Sequence, residues 1–174
     1  MQSPTAALDE IERDVRDRNS HRDLAAALTC DVSAVLATTP HYQNRNERLA
    51  IDFAVLKPAI GALRVMDPRV VVIEPARTNE RHRHAHESLF YVIAGRGVLS
   101  VGDREVELAA GMIAMVPRWE MHHARNTSAD ANLVLLAITD FGLTSAVLGD
   151  YDRKTRLREA GEDSMAPATA EVAP

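Results

Sequence analysis

One cysteine, Cys30, is the entire thiol complement of this 174-residue chain, so no disulfide can close within it and a reducing, cytoplasmic setting is the default expectation. Aromatic residues make up only 4%, too few for a stacking platform that reads single-stranded nucleic acid. Basic charge is not in excess: 20 Lys and Arg face 25 Asp and Glu, a net charge of -5, and no nucleic-acid partner is expected. No run reaches the roughly 18–20 apolar residues that cross a bilayer. The start, Met1-Gln2-Ser3-Pro4, lacks the basic and apolar regions of a secretory leader, so neither membrane association nor export is expected. No internal repeat is visible. What remains is ordinary for a globular domain, with 46% hydrophobic and 26% charged residues and enough chain for one core.

Patterning divides the chain into three. Residues 1–48 read as a helical extension. Leu8, Ile11 and Val15 share one helical face, Ser3-Pro4 suits a helix start, and Ser20-x-x-Asp23 suits the capping of a second helix that Pro40 ends. That second helix is expected to contain Cys30, and residues 41–48 to form a loop. Residues 49–150 change texture, with an ambiguous stretch to 66 and then short apolar runs: Val70 to Ile73, Leu89 to Ile93, Val98 to Val101, Val106 to Leu108, Met112 to Val116 and Leu133 to Ile138. Turn residues separate them, and Gly102-Asp103 reads as a tight hairpin. This spacing predicts a mainly β fold, a barrel or sandwich, with Met112 and Met115 as packing residues. Residues 151–174 read as a charged stretch and a disordered tail.

The chemistry concentrates in histidine. Five of seven histidines lie between positions 82 and 123. In His82-Arg83-His84-Ala85-His86, an extended backbone would turn all three imidazoles to one face. Imidazole is the commonest metal ligand. A closed barrel would carry His122-His123 over the first cluster, and a metal site is the expectation.

The same stretch resembles the cupin superfamily of small jelly-roll-like barrels. Its first motif is matched by Pro75-Ala76, then five residues, His82-Arg83-His84, and a closing Gly95. The second is matched by Gly111, five residues, Pro117-Arg118-Trp119, two residues, His122, three residues and Asn126. Trp119 stands where the motif has glycine. The glutamate position falls on Ser88, while Glu87, one residue away, would face the opposite side of a strand. The resemblance implies a jelly-roll-like barrel with the helical extension in front of it. It also implies a metal held by His82, His84 and His122 without a carboxylate. His86 is then a candidate catalytic base, additional ligand or supporting partner. Ser88, Phe90, Arg118 and Trp119 are candidate substrate-binding residues, Arg118 as the partner of a substrate carboxylate.

Three neutral imidazoles leave a divalent ion its full charge and open positions, which suits an anionic chelating substrate and dioxygen. Such a set is similar to those of thiol dioxygenases, gentisate-type ring-cleaving dioxygenases and an iron cupin that rearranges a hydroxylated guanidine. The expected activity is therefore an Fe(II)-dependent oxygenation of a small polar, anionic or amino-acid-derived molecule. The alternatives are a lyase, isomerase or cyclase using Zn(II), Mn(II) or Ni(II) at the same site, or a non-catalytic small-ligand-binding barrel. A homodimer through an edge strand is expected.

Overall fold

The computed structural model describes residues 4–17, 29–61 and 63–149. The order of elements is α1 (Pro4–Arg16), α2 (Val32–Leu36), β1 (Tyr42–Asn46), β2 (Ile51–Leu56), β3 (Asp67–Ile73), β4 (Ser88–Ala94), β5 (Arg96–Val101), β6 (Arg104–Ala109), β7 (Ile113–Val116), β8 (His122–Asn126), β9 (Leu133–Thr139) and α3 (Phe141–Leu148). The strands form two antiparallel sheets, one in the order β1-β2-β3-β9-β4-β7 and one in the order β6-β5-β8. This is the mainly β, jelly-roll-like architecture expected, with a short helix at the N-terminal side.

Alternation explains the sheets. On β9, Leu133, Leu135 and Ala137 point between the sheets and pack with Phe53, Val55, Val71, Ile73, Phe90, Val92, Leu99, Leu108 and Val116. The intervening Val134 and Leu136 face outward. There they join Val35, Leu56, Val70, Cys30 and Val32 in a second cluster, so α2 covers that part of the larger sheet. A strand buried on both faces reads as an unbroken apolar run, as β9 does. On β4 and β7 the outer face is open. Leu89 pairs with Met115 and Tyr91 with Ile113 across the strands, and all four are exposed.

Several expectations are corrected. Residues 41–48 are no loop: Tyr42–Asn46 is a strand paired with β2, so the sheet begins ahead of residue 49. An edge strand of polar residues carries no apolar alternation to betray it. The ambiguous stretch contains β2. Met112 and Met115 are exposed rather than packed inside. Cys30 precedes α2, and the helix starts at Val32 with Asp31 Oδ1 accepting from the Ser33 N–H at 2.9 Å. The Ser20–Asp23 capping and the tail 151–174 lie outside the described residues. Gly102-Asp103 does join β5 to β6 in a two-residue turn, with Gly102 at φ 59°.

Candidate metal centre

Two stretches supply the histidines. β8 is a regular strand, so His122 points inward and is buried while His123 faces the other side. The chain over residues 79–87 is not the extended strand expected. It touches β8 through a bridge between His82 and His122, whose N–H groups each donate to the other's carbonyl at 3.0 and 2.8 Å. It then bends. His84 still comes round beside His82, and one potential ligand nitrogen from each of His82, His84 and His122 lies within 4.8 Å of the other two. Ring centroids are 4.4 Å apart for His82 and His122 and 4.6 Å for His84 and His122.

Each of the three rings is oriented by its own backbone. Nδ1 lies 2.8 Å from the Glu80 carbonyl in His82, 2.8 Å from the His86 carbonyl in His84, and 2.9 Å from the Glu120 carbonyl in His122. A carbonyl only accepts, so the proton sits on Nδ1 in all three. The Nε2 lone pairs are left as the ligand atoms, the arrangement that orients a metal-binding imidazole. Burial, partly opposed by the Glu120 hydrogen bond, pushes His122 from 6.5 down to about 4. It is therefore neutral and ligand-competent near neutrality. His123 is also lowered, by burial first and then by Arg81.

The bends over 84–87 are tied down. Arg118 donates to the Ala85 carbonyl at 2.6 Å and to Asp140 Oδ2 at 2.5 Å. The other Asp140 oxygen accepts from the Glu87 N–H at 2.8 Å. The Trp119 N–H donates to the His84 carbonyl at 2.8 Å, and Trp119 reaches this position with φ 62°. A left-handed backbone here is the physical reason a glycine suits the position. Arg118 and Trp119 thus hold the histidine segment from outside and do not line the cavity. Glu87 lies at the surface, its side chain 61% exposed, away from the three histidines.

The cavity itself is about 70 Å3, a few waters' worth, and opens between the two sheets. His86, Ser88 and Phe90 line it with the three histidines, as do Val55, Val71 and Thr139. His86 stands outside the ligand group but stacks on His84, with centroids 3.4 Å apart and planes at 12°. It also meets the Phe141 ring edge-on at 5.5 Å. Two further lining residues, Glu80 and Arg69, were not singled out from the sequence. Glu80 is buried, and its Oε1 accepts from the Tyr42 hydroxyl at 2.6 Å and from the Asn44 amide. Parity carried the signal for Arg69, which is in step with the inward Val71 and Ile73 on β3; the bends over 79–87 left Glu80 without one.

Comparison with known proteins agrees with this geometry. Residues 69–139 match the family model described as Cupin domain, so this segment of the chain is a cupin domain. The chain is 26% identical to an uncharacterized protein of Streptomyces coelicolor over 90 residues, which is 52% of this chain and 84% of that one. A candidate sugar phosphate isomerase of Acidithiobacillus ferrooxidans superposes with a TM-score of 0.53 at 23% identity, covering 64% of this chain and 74% of its own. The salicylate 1,2-dioxygenase of Pseudaminobacter salicylatoxidans does so with 0.50 at 13%, covering 55% of this chain and 28% of the enzyme. These likenesses establish the fold; their activities belong to those proteins. Residues 69–139 thus form a cupin domain, and the three-histidine group suits a metal ion.

Proposed function

We propose that this cupin is a non-haem Fe(II)-dependent oxygenase acting on a small polar, anionic or amino-acid-derived molecule. The observation that carries the reading is the all-imidazole ligand group, each ring locked by an Nδ1 hydrogen bond and no carboxylate among the ligands. His82, His84 and His122 would hold Fe(II), which would supply the Lewis-acid and redox chemistry that joins a chelating anion to dioxygen. The chain's own residues do the remaining work. Phe90, Val55 and Val71 wall off water, and Ser88 offers a hydroxyl to the substrate. His86, buried beside the ligand group, is placed to hold or pass a proton at an imidazole nitrogen.

A second reading keeps the site and changes the chemistry. His86 stacked against the ligand His84 also suits a lyase, isomerase or cyclase, with Zn(II), Mn(II) or Ni(II) polarising the substrate and His86 shuttling its proton. Elemental analysis of untagged protein, followed by anaerobic Fe(II) reconstitution and oxygen-uptake screening against small acids, separates the two. About one iron per chain with acid-dependent oxygen uptake is expected. One zinc, manganese or nickel per chain without oxygen uptake would move the assignment to the second reading, and no binding of any metal would sink both.

A further inference from the structure

Arg118 was the arginine expected to meet a substrate carboxylate, but its guanidinium is engaged by Ala85 and Asp140 outside the cavity. The arginine in the cavity wall is Arg69 on β3. Its side chain is 16% exposed. Nε and Nη2 both donate to Asp67 Oδ2, at 2.8 and 2.5 Å. The face of the guanidinium lies over the Phe141 ring, 4.9 Å from its centroid. Both restraints fix the plane of the fork. They leave Nη1, which donates to no described residue. A fork held by an acid on one edge and an aromatic beside it is pre-organised to bind on the edge that remains.

Position and charge narrow the ligand. Phe141 also touches His86, so Arg69 stands on the His86 side of the ligand group. Glu80, which also lines the cavity, has its carboxylate engaged by the Tyr42 hydroxyl and the Asn44 amide. Asp67 is shared with Lys57, whose Nζ lies 3.7 Å from Oδ1, so the three side chains keep one net positive charge, which suits a singly charged planar anion better than a dianionic phosphate.

We infer that Arg69 is the carboxylate anchor of the substrate. The molecule taken by this site is then a small bifunctional acid, held by one group at the histidine centre and by a carboxylate at Arg69 Nη1. This deepens the metalloenzyme reading and rests on it.

The test uses the full chain loaded with Co(II), whose visible spectrum reports ligands arriving at the histidines. The probes are azide, which needs the metal alone, and the series oxalate, malonate and succinate with their monoamides. The expected result is about tenfold or tighter binding of at least one diacid over its monoamide, a preference abolished in Arg69→Gln with azide affinity and cobalt stoichiometry unchanged. Arg69→Lys, which keeps the charge opposite Asp67 but loses the fork, guards against misfolding and should retain only part of the preference. A wild-type protein with no preference anywhere in the series, or a preference that survives both substitutions, overturns the anchor while leaving the metal centre standing. Failure of the wild type to bind cobalt or any other divalent metal would overturn the metalloenzyme reading, and the anchor with it.

Discussion

The histidines that meet at the centre come from two stretches built on different rules. On β8, period two governs. His122 goes inward and is buried, and His123 goes outward, one residue apart and on opposite sides of the sheet. Over residues 79–87 no such period operates. His82 is placed by its bridge to His122, His84 by the bends that Arg118, Asp140 and Trp119 hold, and His86 by stacking on His84. A ladder aims a side chain through many repeated hydrogen bonds. An irregular segment has to be aimed residue by residue, and the polar contacts around it are correspondingly specific.

The largest effect expected from this contrast is on metal binding. His84→Ala and His122→Ala should each abolish stoichiometric metal, whereas His123→Ala should retain about one ion per chain by elemental analysis. Loss of metal in the His123 variant would break the strand rule for β8.

The second effect is on the acid side of stability. The folded state holds His122 near 4 against 6.5 unconstrained, so between those values the unfolded chain carries the extra proton. Metal-free protein should therefore keep this contribution above about pH 6.5 and lose it as pH falls toward 4, by up to about 3 kcal/mol. Chemical denaturation across that range, compared with His122→Gln, should show a flatter profile in the variant.

The third is on ligand chemistry. Ser88 is buried in the cavity wall at the start of β4. Ser88→Glu should introduce a carboxylate there, weakening azide binding to the loaded protein severalfold as the charge of the site falls. The smallest effects belong to the outside of the bends. Glu87→Ala should leave metal stoichiometry unchanged. Trp119→Gly should relieve the left-handed backbone and raise stability by up to about 1 kcal/mol in a denaturant titration.

Legibility in the sequence followed the same division. The apolar runs from Val70 to Ile138 marked the central strands because burial on one or both faces leaves a pattern. The paired motifs brought His82, His84 and His122 together because their spacing fits a barrel closed on itself. The polar strand β1 was hidden, since its pairing is made by backbone and its side chains serve an edge. With it went the partners of Glu80. Helix α3, only eight residues long, also left no clear periodicity. Arg118 and Arg69 show the limit most plainly. Both are arginines near the site in sequence or space, and what separates them is which acid each one finds: Asp140 beside the histidine segment for Arg118, Asp67 two residues back on β3 for Arg69.

Helix α3 opens on Phe141, the ring shared by Arg69 and His86, and it packs against α1. Arg64, just ahead of β3, pairs with Glu10 and Asp14 on that same N-terminal helix, and the Gly142 Cα lies so close to the Arg64 carbonyl that a Cβ there would collide with it. The first helix is therefore a remote handle on the cavity. A shortened chain beginning after residue 17 would keep every lining side chain, yet lose the backing of the ring against which two of them are set.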